Sequence, residues 1–267
     1  MTGIIQRDRS IIPACDVPLE IFHKILLGTA DIDAVGGYKI GPALTGRPGY
    51  DAVVSMARQI TDKPLIFDAQ KWGTDIPDTA ESLLGPVRDS GIETIILFPQ
   101  SGPITEFEWI LTAQRLGLNV IVGGEMTHPG YREGDEIKTK RDYSQIFANL
   151  GMDLPTGFIR RNAPNQMYEI ATRMGVMDFV VPGNKPDSIS RIRRVIEENV
   201  LAKEKISVSY FAPGFVEQGG EISKGGDAAG KRFHGIVGRG VYWDNGKSTY
   251  NDIVQIRNAT GQLVKNL

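Results

Sequence analysis

Residues 64–98 read PLIFDAQKWGTDIPDTAESLLGPVRDSGIETIILF, and the fold follows from how this stretch divides. The run from Pro64 to Asp68 is apolar, too short for a helix, and ends in charge. From Thr79 to Ser90 apolar positions recur at helical spacing, and Gly91 supplies a stop. A second short apolar run, Thr94 to Phe98, follows. Strand, helix and strand in this order make a βα unit leading into a parallel neighbour.

The same unit recurs on both sides. Further candidate strands are Ile11 to Cys15, Ala34 to Ile40, Asn119 to Gly124, Asp178 to Val181, Ser207 to Phe211 and His234 to Gly238. Amphipathic helices are expected over Pro18 to Leu27, Gly49 to Gln59, Thr105 to Leu116, Pro186 to Asn199 and Thr249 to Asn258. Eight strands alternating with helices predict an α/β fold, a (β/α)8 TIM barrel forming one domain over residues 1–267. The length of 267 residues suits it, since such barrels need about 250. One irregularity lies after strand five. Residues 131–174 are too long for one helix and carry a polar, Pro-containing stretch from Leu154 to Asn165, so they read as an insertion at the barrel mouth, either a lid or a solvated excursion.

Composition narrows the function classes. Hydrophobic residues make up 41% and charged residues 23%, which allows a large soluble core. A net charge of −2 offers no broad basic field for nucleic acid, and no apolar run approaches the ~18 to 20 residues that span a bilayer. The single cysteine excludes an internal disulfide, and with no signal-like start the expected compartment is the cytoplasm. Three scattered histidines and one cysteine give no zinc spacing, and no metal is expected. Cys15, just before a strand end, is expected to pack in the barrel.

In this fold chemistry sits at the carboxyl ends of the strands. Asp16 follows strand one, Lys39 ends strand two, and Asp68, Lys71 and Asp75 follow in series at strand three. Charges of alternating sign at three successive strand ends suit holding a lysine protonated among carboxylates. Singly, each would be an ordinary solvated charge. The loops after strands seven and eight carry Gly219, Gly220, Gly238 and Arg239, a candidate monophosphate site in which glycine permits close backbone approach and arginine adds a planar fork of donors. Glycine there also serves tight turns. Thr127 and His128 follow strand five, as substrate contacts or as turn residues.

Several strings together resemble the orotidine 5′-phosphate decarboxylase family, particularly its archaeal type. Asp68-Ala69-Gln70-Lys71 through Asp75-Ile76-Pro77-Asp78-Thr79 resembles D-x-K-x-x-D-I-P-x-T. Glu125-Met126-Thr127-His128-Pro129-Gly130 looks like E-M-S-H-P-G. Pro213-Gly214 through Gln218-Gly219-Gly220 is similar to P-G-V-G-A-Q-G-G, and Ile236 to Tyr242 to I-V-G-R-S-I-Y. The matches run in family order from Asp16 to Tyr242.

The resemblance implies cofactor-free decarboxylation of a nucleoside monophosphate, orotidine 5′-phosphate, to uridine 5′-phosphate in pyrimidine nucleotide biosynthesis. Lys39, Asp68, Lys71 and Asp75 would form the catalytic tetrad, the Lys71 ammonium protonating the ring carbanion. Asp16 would bind ribose hydroxyls, Thr127 would contact the pyrimidine, and Pro182 would be a further substrate contact. Gln218 would bridge base and phosphate, and Gly219, Gly220, Gly238 and Arg239 would hold the phosphate. Asp75, Ile76 and Thr79 would enter a neighbouring subunit's site, which implies a homodimer. Two residues are added within the signature: Asp68 and Lys71 are separated by two positions where the family has one, and Lys71 and Asp75 by three where it has two. On an extended strand a one-residue shift reverses side-chain direction. Phe98-Pro99-Gln100 also lacks the histidine often found after strand four. The alternatives are a Mg2+-dependent sugar-phosphate lyase of the same superfamily and a non-catalytic nucleotide-phosphate binder.

Overall fold

The computed structural model describes residues 3–68, 72–137, 139, 141–200, 207–216, 218–244 and 246–267. Eight parallel strands close on themselves: β1 (Arg9–Cys15), β2 (Tyr38–Ile40), β3 (Leu65–Asp68), β4 (Thr94–Leu97), β5 (Asn119–Gly123), β6 (Asp178–Val180), β7 (Ser209–Ala212) and β8 (Phe233–Val237). The seam is the parallel pairing of β1 with β8, from Arg9 opposite Phe233 to Pro13 opposite Val237. The helices follow the strands in chain order. They are α1 (Leu19–Thr29), α2 (Pro42–Thr45), α3 (Tyr50–Arg58), α4 (Ala80–Asp89), α5 (Pro103–Arg115), α6 (Tyr143–Ala148), α7 (Ala163–Arg173), α8 (Pro186–Asn199), α9 (Ile222–Ala229), α10 (Arg239–Tyr242) and α11 (Ile253–Val264).

Alternation along the strands separates two cores. Ile12, Ala14, Ile66, Ile96, Ile121, Val180, Phe211 and Ile236 point inward and fill the barrel, and Ile5 joins them from the N-terminal approach. Their sequence neighbours, among them Ile11, Tyr38, Phe67, Ile95 and Val122, face the helices. Strands buried on both faces read as continuous apolar runs, which is why they were legible. Each fully buried Ile or Phe stabilises the fold by about 1.5–3 kcal/mol, so these cores outweigh solvent-screened ion pairs such as Arg257–Asp31.

Two element starts differ clearly from expectation. β2 is confined to Tyr38–Ile40, because Gly36 and Gly37 pass against Ser10 and the Pro64 carbonyl with no room for a side chain. Thr249 and Tyr250 are not helical; they pair antiparallel with Asp244 and Trp243. The last helix starts at Ile253, where Asp252 and Gln255 form a reciprocal capping box. α9 had no place in the sequence reading, since Gly225 and Gly226 interrupt its apolar pattern. Within 131–174 lie α6, the isolated pairing of Arg132 with Ile159, and the whole of α7.

Candidate active site

β2 and β3 present charge to the barrel interior by the same alternation that hides their apolar neighbours. Lys39 lies between outward-facing Tyr38 and Ile40, and Asp68 is two residues beyond inward-facing Ile66. Lys39 Nζ stands 2.9 Å from Asp68 Oδ2 and 3.1 Å from Asp16 Oδ2. The Lys39 and Asp68 side chains are 7% and 3% exposed, whereas that of Asp16 is 45% exposed. Gly41 permits the convergence: a Cβ there would stand 2.9 Å from both Asp16 Oδ1 and the Asp68 carbonyl oxygen. Burial by itself would discharge Lys39, but Asp68 and Asp16 outweigh it and hold the ammonium well above the ordinary lysine range.

This cluster forms one wall of a cavity of about 270 Å3. Ile96, Val180 and Ile236 make its floor, and Phe98, Thr127, Pro213 and Gln218 its other sides. The Phe98 ring covers Gly123, where a Cβ would collide with it. A buried cation faces apolar surface across the space, so charge inside it is poorly screened.

Glu125, which also lines the cavity, is a residue whose role the sequence reading missed. Its side chain is fully excluded from solvent and meets Arg132 Nη1 at 3.3 Å, Lys185 Nζ at 3.8 Å and the Arg191 guanidinium. Ser188 Oγ donates to it at 2.8 Å. Lys185 Nζ also donates to the Met126 carbonyl at 2.9 Å, and Asn184 Nδ2 to that of Thr127 at 3.2 Å. The loops after β5 and β6 and the helix α8 are thereby tied at one carboxylate. Its signal was an acid immediately after strand five, but its partners lie up to 66 positions away.

The glycine-rich loops are adjacent, since a Cβ on Gly240 would meet Val216 Cγ2 at 3.1 Å. Gly214, Val216 and Gly219 take positive φ of 108°, 64° and 78°. The Gly219 and Gly220 amides donate within their own turn, to the Val216 and Gly214 carbonyls at 3.2 and 3.1 Å. Gly238 precedes α10, and Arg239 is exposed in its single turn. Pro182 is buried just past β6. His128 is exposed and stacks edge-on against Tyr131. Cys15 is buried, and burial pushes its thiol far up, so it is no nucleophile.

The structure thus brings Lys39, Asp68, Thr127 and Gln218 to one cavity, with Asp16 at its edge. Asp75, Ile76 and Thr79 are not among its lining residues. Asp75 is exposed and Ile76 is 60% exposed, on a loop held by Thr105 Oγ1 donating to the Asp75 carbonyl at 3.1 Å and Trp109 Nε1 to that of Ile76 at 3.3 Å. Lys71, with Ala69 and Gln70, lies outside the described residues, as does Glu217. Among the described residues no group of three or more His, Cys, Asp or Glu is arranged to hold a metal ion, and no helix is long and apolar enough to cross a membrane.

No protein-family profile matches the chain. It is 25% identical over 242 residues to an orotidine 5′-phosphate decarboxylase from Methanosarcina mazei, covering 89% of this chain and 90% of the relative. A second relative of that name, from Methanococcoides burtonii, is 25% identical over 215 residues, 79% of each chain. In three dimensions the chain superposes on the orotidine 5′-monophosphate decarboxylase of Methanocaldococcus jannaschii, solved with the inhibitor BMP, with a TM-score of 0.69. That match covers 96% of this chain and 98% of the other at 21% identity.

Proposed function

We propose that this chain, a divergent member of the orotidine 5′-phosphate decarboxylase family, converts orotidine 5′-phosphate to uridine 5′-phosphate and CO2 in pyrimidine nucleotide synthesis, without metal or organic cofactor. The observation that carries the reading is the buried Lys39–Asp68 pair, with Asp16 beside it at the edge, on the wall of a cavity sized for a pyrimidine ring.

The chemistry asks for such an array. When the carbon–carbon bond to the carboxylate breaks, its electron pair stays on a ring carbon with poor resonance outlet while CO2 departs. Electrostatics must therefore lower the barrier by an amount near the upper range for enzymes, about 20 kcal/mol. Asp68 would face the departing carboxylate, and Lys39 would keep Asp68 ionised and fixed. The Lys71 ammonium would stabilise the carbanion, give it a proton, and be recharged from solvent. Thr127 and Pro182 would border the base, Asp16 the ribose, and Gln218 would reach between base and phosphate. Arg239 and the glycines at 219, 220 and 238 would hold the phosphate, whose binding energy is spent on closing the site.

The same reading extends to a homodimer. Ile76 lies beside α5, whose Ile104, Phe107 and Leu111 are exposed on one face, and a second copy of the chain would cover this apolar surface. Asp75, Ile76 and Thr79 would then enter the partner's cavity. The proposed compartment is the cytoplasm.

A direct ultraviolet assay tests the function. Orotidine 5′-phosphate should be consumed equally with and without EDTA. Loss of turnover on chelation would favour a Mg2+-dependent lyase, and tight binding of uridine 5′-phosphate without consumption of the substrate would make the chain a binder.

A further inference from the structure

A second cavity, of about 370 Å3, opens on the other side of the β4 end. Phe98 faces the reaction cavity, whereas Pro99 and Gln100 line this one. Met167 and Ile170 of α7 form its far side, Phe158 of the excursion after β5 stands 93% exposed at its rim, and its base is Glu106 on α5. Glu106 is 1% exposed, yet among the described residues its carboxyl accepts no hydrogen bond and forms no ion pair, and its Oε1 is both buried and unpartnered.

Buried carboxyls are ordinarily paired, because desolvating the charge without a partner is costly. Glu106 lies in the first turn of α5, where the helix dipole favours a negative charge. That assistance is insufficient: burial pushes its carboxyl up to about 9, and no neighbouring charge contributes. Arg160 also lines the cavity, but its side chain is exposed and is not paired with this acid. The carboxyl is therefore a neutral acid when the cavity is empty, in a lining that mixes apolar Met167 and Ile170 with polar Gln100 and Gln166, and with one interaction missing, a positive charge.

We propose that this cavity is a binding site for a small organic cation, a primary ammonium on a compact apolar body, whose N–H groups donate to Glu106. Binding moves one proton. The amine enters as its ammonium, Glu106 gives its proton to the buffer, and the resulting carboxylate pairs with the ligand. The site is distinct from the reaction cavity and does not depend on the decarboxylase reading.

Isothermal titration of the full-length protein with benzylammonium and n-butylammonium chloride near neutral pH tests it, run in two buffers of different ionisation enthalpy to count protons. Saturable binding with release of nearly one proton per ligand is expected, weakened about tenfold or more in Glu106→Gln. Ala163→Phe, which fills the cavity and leaves Glu106 in place, should also abolish binding. Because the readout is heat and protons, it is independent of turnover. Absence of binding at millimolar amine, equal binding to Glu106→Gln, or binding without proton release would overturn the proposal.

Discussion

Lys39 and Asp68 occupy adjacent strands and meet at 2.9 Å with both side chains almost wholly shielded from water. Breaking such a pair on one side strands a buried charge, whereas replacing both partners by apolar groups does not. Lys39→Met should therefore cost about 3–5 kcal/mol of stability. Lys39→Met with Asp68→Leu should recover most of it, while turnover stays lost in both. Denaturant midpoints beside the ultraviolet assay read the two effects separately. If the single variant were as stable as the native protein, the array would not be a buried pair.

Glu125 gathers Arg132, Lys185 and Arg191 at a position closed to solvent. Glu125→Gln keeps the shape and removes the charge, leaving these cations short of a partner. Destabilisation by about 2–4 kcal/mol is expected, with faster limited proteolysis between residues 131 and 174. An unchanged melting temperature would mean the loops after β5 and β6 are held by something else.

Phe98 packs over Gly123 on the wall of the reaction cavity. Gly123→Ala should push the ring into the cavity proposed to take substrate, raising KM and costing about 1–3 kcal/mol by overpacking. Phe98→Leu in the same chain should restore both. Failure of that rescue would separate the glycine from the ring.

Asp178, buried at the start of β6, has its carboxyl raised by burial to about 6, against the Ser209 hydrogen bond and Arg232, which pull it down. The folded chain thus keeps a proton that the unfolded chain has released above the ordinary carboxylate range. Stability conferred by this group is intact below about pH 4 and falls as pH rises through about 6, by up to about 3 kcal/mol. Asp178→Asn should leave stability near pH 4 unchanged and raise it near neutrality, measured by urea unfolding across that range. A constant difference between the two proteins would refute the assignment.

If Asp75 serves the neighbouring subunit, Lys71→Ala and Asp75→Asn chains, each inactive alone, should complement each other. Random mixing makes half the dimers mixed, and each mixed dimer has one intact site of two, so about a quarter of native activity should return. No recovery after subunit exchange, checked by mass, would place Asp75 outside a shared site.

The eight-stranded barrel was legible from the chain itself, because strands buried on both faces are short apolar runs and the helices between them keep a 3.6-residue period. The charged residues 16, 39 and 68 were legible for the same reason: each interrupts or ends such a run at the mouth. Pairings between distant positions were not. That Glu125 would meet Arg191, that Gly41 would make room for the Asp16 carboxylate and the Asp68 carbonyl, and that Glu106 would be buried without a partner depend on which groups closure of the barrel brings together. Periodicity reports the direction a residue faces along its own element. What it meets there, and how much water is left around it, is decided only when the eighth strand pairs with the first.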